Sequence, residues 1–200
     1  MSRILSKAVA ERRLKRELPL VQRCISGAWQ EYMDRPAEYR LADSPRTRAS
    51  TVHDLMVKRA RELFEPLVHA QCLEIGGLFI VTLYQRLAIR FKKLDGDFRA
   101  CNIPTQQSLE FVRQQSSLVG IKDVMNLQAG YRLNGLQTEL EGSYLACPRG
   151  RGNYWIIELD PYAGAKVVEL PEKLKASPTS TAVKLKHVPT EKKGGEDFGN

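Results

Sequence analysis

The sequence predicts an α+β fold: N-terminal helices followed by an antiparallel sheet of about five strands, with one inserted helix. Three observations carry this. Apolar residues recur at helical spacing as far as Phe64. Beyond Gly76-Gly77 the pattern changes to runs of β-branched and aromatic residues bounded by turn signals. Between those runs, Asn102-Ile-Pro-Thr suits a helix start and Gln106–Gln115 continues at helical spacing.

The first helical stripe is Ile4, Leu5, Ala8 and Val9, continued by Leu14, Leu18 and Val21. Arg12, Arg13, Lys15 and Arg16 lie between these groups. Pro19 is expected to kink or restart the helix, because it lacks the N–H an interior turn needs. Ile25, Ala28, Trp29 and Tyr32 form the next stripe. Residues 35–50 read as a loop, and a helix is expected to begin near Ser50 or Thr51. Its buried face would be Val52, Leu55, Met56, Ala60, Leu63 and Phe64, ending near Pro66.

Leu78–Tyr84 and Leu87–Leu94 read as a hairpin or one long bent strand, and Asp95-Gly96-Asp97 as a turn. Met125–Leu133, Gln137–Cys147 and Tyr154–Asp160 read as strands, with Gly150-Arg-Gly-Asn turning between the last two. Lys166–Leu170 could add a short final strand. The organisation expected is a basic helical segment and loop over 1–49, an α+β core over 50–170, and a disordered polar tail over 171–200.

The composition narrows the function classes. Lys and Arg number 31 against 23 acids in 200 residues, a formal charge of +8. That balance favours an acidic partner: nucleic acid, a membrane surface or an acidic protein. No apolar run approaches the ~20 residues of a membrane span. Met1–Leu18 has no apolar core of a secretory signal, so a cytoplasmic location is expected. Cys24, Cys72, Cys101 and Cys147 are far apart, with no Cys-x-x-Cys pair to present two thiolates to one zinc. Four reduced thiols, and no metal or cofactor, are expected.

Catalytic patterns are wanting. His53, His69 and His187 form no His-Glu-x-x-His helix; His53 is expected on a helix surface and His69 partly packed. There is no Gly-x-Ser-x-Gly elbow and no phosphate-binding glycine loop. A metal-dependent nuclease would need converging carboxylates. The strand Arg90-Phe-Lys-Lys-Leu holds no acid, and Glu158 and Asp160 have no lysine close behind them. A non-enzymatic binding protein is the reading left.

Arg86, Arg90, Lys92 and Lys93 are the strongest basic cluster in the core and the candidate phosphate-binding set. Alternation puts Arg90 and Lys92 on one strand face and Phe91 and Lys93 on the other. A solvated face whose lysines discourage edge pairing explains the same residues.

The second candidate set is Gln106, Gln107, Ser108, Leu109, Glu110 and Phe111. This hexapeptide resembles the Gln-x-x-Leu-x-Phe peptide by which bacterial replication proteins dock on the DNA sliding clamp. Gln106, Leu109 and Phe111 match the anchors; Gln107 and Glu110 depart from the usual pattern. With the size and charge of the chain, the hexapeptide resembles the SocB-type toxins of SocA–SocB toxin–antitoxin pairs. That resemblance implies docking on the clamp and a block of replication elongation near the replisome or nucleoid. It also implies an antitoxin that acts as a proteolytic adaptor delivering the toxin to the ClpXP protease. The alternatives are a nucleic-acid-binding accessory protein using the basic cluster and the N-terminal basic helix, and a metal-dependent nuclease. Clamp peptides bind largely extended, whereas the residues ahead of this one suit a helix cap. On a helix, Leu109 would share a buried face with Val112.

Overall fold

Pro19 divides the N-terminal helical stretch in two. The computed structural model describes residues 4–101, 105–115 and 123–159, and places α1 at Lys7–Arg13 and α2 at Leu18–Met33. Pro19 sits in the first turn of α2, where its missing N–H leaves no bond unmade. The expected loop over 35–50 is instead largely helical. A short α3 covers Ala37–Ala42, and α4 runs Pro45–Phe64. Helix α4 therefore starts ahead of Ser50 and Thr51. Its cap is Ser44, whose hydroxyl accepts from Thr47 N at 3.1 Å, followed by a proline at the first helical position.

The sheet has six strands in sequence order: β1 Ala70–Ile75, β2 Leu78–Leu83, β3 Leu87–Lys93, β4 Met125–Leu133, β5 Leu140–Arg149 and β6 Gly152–Glu158. All neighbours are antiparallel except β3 and β4, which pair in parallel from Leu87↔Met125 to Lys93↔Tyr131. The purely antiparallel sheet of five strands is thus corrected on two counts. A helix inserted between consecutive strands carries the chain back to the starting edge, so the next strand runs parallel. That helix is α5, Gln106–Val112. Strand β1 was not expected because Gln71 and Glu74 dilute its apolar pattern. It is placed by the turn that follows: Gly76 and Gly77 both have positive φ, +57° and +76°, as a tight hairpin requires. Leu78 and Leu87 begin two separate strands, joined by Tyr84-Gln85-Arg86. The final-strand reading of Lys166–Leu170 and the tail at 171–200 lie outside the described residues.

One face of the sheet carries the main core. Val81, Leu83, Leu87, Ile89, Phe91, Leu127, Ala129, Leu145 and Cys147 meet Cys24, Ile25, Ala28 and Trp29 of α2 and Val52, Met56, Ala60 and Phe64 of α4. The opposite face carries a small second core of Ile80, Ala88, Phe111 and Val124, under α5. Among the described residues no helix is long and apolar enough to cross a membrane.

The four cysteines are unpaired. Burial pushes the Cys24 and Cys147 thiols up to about 12. In the unfolded chain they ionise near an ordinary ~8.5. The folded state therefore keeps protons that the unfolded state gives up. This contribution to stability is complete below the unfolded value and is lost as pH rises toward the folded one. Each thiol should remove about 1.4 kcal/mol per pH unit in that window. Urea melts between pH ~9 and ~11 should show the midpoint falling, less steeply in Cys24→Ala/Cys147→Ala. A wild-type midpoint flat across that range would contradict the assignment.

Candidate functional site

The two candidate sets predicted from sequence meet on the α5 face of the sheet. Thr105 caps α5 through a reciprocal pair of bonds: Ser108 N donates to Thr105 Oγ1 at 3.2 Å, and Thr105 N donates to Ser108 Oγ at 2.9 Å. The polar cap fixes the helix start and turns Ser108 and Phe111 toward the sheet. Phe111 is 1% exposed, Ser108 is buried, and Leu109 and Glu110 are half-buried. Gln106 and Gln107 are exposed; Gln106 donates to Glu110 at 2.9 Å, and Gln107 lies against Gly76 of the β1–β2 turn. The hexapeptide is therefore a capped helix whose aromatic anchor is a core residue. It is not the extended, accessible peptide that clamp docking uses.

The basic cluster is dispersed. Strand β3 is the third of six, so its lysines guard no edge. Arg90 and Lys92 do share a face, as alternation requires, but α5 covers Arg90. Arg90 is 3% exposed, with its guanidinium 4.9 Å from the centre of the Phe111 ring. Burial lowers its pKa, and its Nη1 has no hydrogen-bond partner. Burial, and then Arg90 itself, lowers that of half-buried Lys92. Lys93 points to the other face and donates to Gln137 Oε1 at 3.0 Å. Arg86 stands exposed in the β2–β3 turn. The four do not form one phosphate-binding surface.

Three amides on this face were not singled out from sequence. Gln114 clips the end of α5 to the sheet: its Nε2 donates to Asn126 O at 2.9 Å and Pro148 O at 3.0 Å, and its Oε1 accepts from Asn126 N at 2.8 Å. Asn126 Nδ2 donates to Phe111 O at 3.0 Å. Gln128, opposite Arg90 in the ladder, is 1% exposed. Beside it a cleft of about 220 Å³ opens between α5, the Asp95–Ala100 turn and the β5–β6 turn.

The histidines do not converge. His53 is half-buried on α4 rather than on an open helix surface; burial, then Lys92, lowers its pKa. His69 is partly packed, as expected. Its Nε2 lies 3.0 Å from Glu17 Oε1, and its ring stacks on Tyr84 at 4.5 Å. Tyr84 donates to the same carboxylate oxygen at 2.6 Å. That bond, then burial, raises the Tyr84 hydroxyl. Asp160 and His187 lie outside the described residues. Among the described residues no three His, Cys, Asp or Glu side chains come together as a metal site.

Glu17 is 1% exposed and anchors the corner between α1 and α2 to the sheet. At the other end of this segment, Leu5 O accepts from Trp155 Nε1 at 2.8 Å and Leu5 N lies 3.4 Å from Met125 Sδ. Residues 5–17 therefore cross the end of the sheet where β1, β3, β4 and β6 begin. Arg12, Arg13, Lys15 and Arg16 are exposed along this crossing, and Arg86 is exposed at the same end. None of the five forms an ion pair among the described residues. Tyr84, 45% exposed, stands among them with its backbone at positive φ, 54°.

Comparison with protein-family models, curated protein sequences and solved structures finds no match to this chain. The fold and these surfaces define it as an α+β protein with a two-faced mixed sheet.

Proposed function

We propose that the protein is a non-enzymatic binding protein that engages nucleic acid along the ridge of residues 5–17. The observation that carries this is the crossing itself. A buried carboxylate at one end and an indole hydrogen bond at the other hold a line of unpaired cations across the sheet end, beside Arg86 and the exposed Tyr84 ring. Fixed cations of one sign suit a phosphate backbone, and an exposed aromatic supplies a stacking surface for a base.

The test is binding to a fluorescent oligonucleotide across a salt series. Affinity should fall linearly with salt on a log–log plot. Arg12→Ala/Arg13→Ala/Arg16→Ala should flatten the slope by roughly 2–3, close to one per phosphate contact. The three side chains are exposed, so circular dichroism should be unchanged. A slope that the triple variant leaves intact would exclude the ridge.

A second proposal is the SocB-like one: docking on the sliding clamp through Gln106, Leu109 and Phe111, with a block of elongation and adaptor-mediated delivery to ClpXP. The hexapeptide and the exposed Gln106 support it. It requires α5 to leave the sheet. Unseating a buried Phe costs on the order of 2–3 kcal/mol, which weakens docking by roughly 30–140-fold.

A further inference from the structure

We infer that the nucleic acid engaged by the ridge is single-stranded, with one unstacked base lying on the open face of the Tyr84 ring. This assignment rests on the ridge reading and names the class of ligand that the ridge takes.

Tyr84 stands in the tight turn between β2 and β3. Tyr84 and Gln85 both have positive φ, 54° and 53°, and Arg86 N donates to Leu83 O at 3.0 Å. Positive φ at both central residues is what a type I′ hairpin turn requires, and Asn-Gly is its usual pair. A tyrosine there is held by its neighbours rather than by its own backbone preference.

The neighbours hold it from several sides. The Tyr84 backbone N–H donates to His69 O at 2.8 Å. The hydroxyl donates to Glu17 Oε1 at 2.6 Å, and the same oxygen lies 3.0 Å from His69 Nε2. The His69 ring stacks on the tyrosine at 4.5 Å, with 11° between the planes. One face of the ring is therefore taken. Tyr84 is still 45% exposed, which leaves the other face to solvent. Among the described residues no second ring or guanidinium packs on it. A base laid there extends the His69–Tyr84 stack by one ring. Because the tyrosine is already fixed, little conformational freedom is lost when the base arrives. With its hydroxyl committed to Glu17, the ring offers a base its face rather than a polar edge.

Cations flank this platform. Arg16 adjoins Glu17 in the chain. At the Tyr84 hydroxyl its charge opposes the rise caused by the Glu17 bond, burial and the Glu17 charge. Arg86 closes the turn. Both arginines are exposed and suit the phosphates of the stacked nucleotide and its neighbour.

Strandedness follows from where base faces lie. In a duplex the faces of an interior base are covered by its neighbours, and only edges reach the grooves. A strand without a partner can splay a base onto an aromatic ring. Charge alone favours the duplex, which carries one charge per ~1.7 Å against ~3.4 Å for one of its strands. Preference for the single strand is therefore the signature of stacking.

The experiment is fluorescence anisotropy of the full chain with labelled probes of equal length: a thymidine oligonucleotide, the same strand in a duplex, and an abasic deoxyribose-phosphate strand. The thymidine strand should bind most tightly, by roughly 5–150-fold over the abasic strand, the range of one base–aromatic stack. Tyr84→Leu should bring those two together and leave duplex binding unchanged. Tyr84→Phe loses the same bond to Glu17 but keeps the ring, so it should retain the gap. Equal binding of the thymidine and abasic strands by wild type would overturn the proposal. A gap that survives in Tyr84→Leu, or tighter binding of the duplex than of the thymidine strand, would do the same. The ridge triple variant reports separately. A salt slope that it flattens, with no gap between thymidine and abasic strands, keeps the ridge and removes the single-strand assignment. No binding of any probe would remove both.

Discussion

Arg90→Met should make the protein more stable, by about 1–4 kcal/mol, with the melting temperature rising by several degrees. Arg90 is 3% exposed, and it forms no ion pair with a carboxylate among the described residues. It sits 4.9 Å from the centre of the Phe111 ring. A desolvated cation–π contact is worth about 2 kcal/mol or more. Removing a guanidinium from water costs several kcal/mol, so desolvation wins. Met has the length to keep the aliphatic packing and needs no hydrogen bonds. Thermal and urea melts decide it: a destabilised variant would show that the ring contact outweighs the burial of charge.

Phe111→Ala should cost about 3–5 kcal/mol, because it empties the centre of the second core. Ile80, Ala88 and Val124 would lose their common partner. A loss below about 1 kcal/mol in urea melts would show that Phe111 is not a core residue. Gln106→Ala, by contrast, removes an exposed side chain and one bond to Glu110, worth about 0.2–0.5 kcal/mol. The pair separates two roles that one substitution confuses. Failure of clamp pull-down with Phe111→Ala is explained by a damaged fold alone. Failure with Gln106→Ala, in a protein of unchanged stability, supports docking; full retention removes the clamp reading.

The legible parts of the fold were those governed by local chemistry. The stripe from Val52 to Phe64, the turn signals at Gly76-Gly77 and at Gly150, and the helix behind Thr105 follow from spacing, positive φ and capping. Ser44-Pro45 also carried a local cap signal, but the polar residues around it masked the helix. Parallel pairing of β3 with β4 was less legible, since it depends on where α5 returns the chain. The site was legible only in part: Arg90 and Gln106–Phe111 were singled out, whereas Gln114, Asn126 and Gln128 were not. Arg90, Asn126 and Gln128 occupy alternate polar positions, a pattern that also fits a solvated strand face. Only the placement of α5 turns that face inward. Asn and Gln where a solvated central strand would more often carry charge were the signal available.

The hydrogen bond between Trp155 and Leu5 joins positions 150 residues apart. A chain leaves the ribosome from its N-terminus. The segment that crosses the sheet end is therefore made before its indole partner on β6. Until Trp155 emerges Leu5 lacks this mooring, and the ridge cations are free to meet polyanions before the sheet is complete. Closing so long a loop is slow compared with forming local helices. The ridge is completed late, which ties its final shape to release of nearly the whole domain.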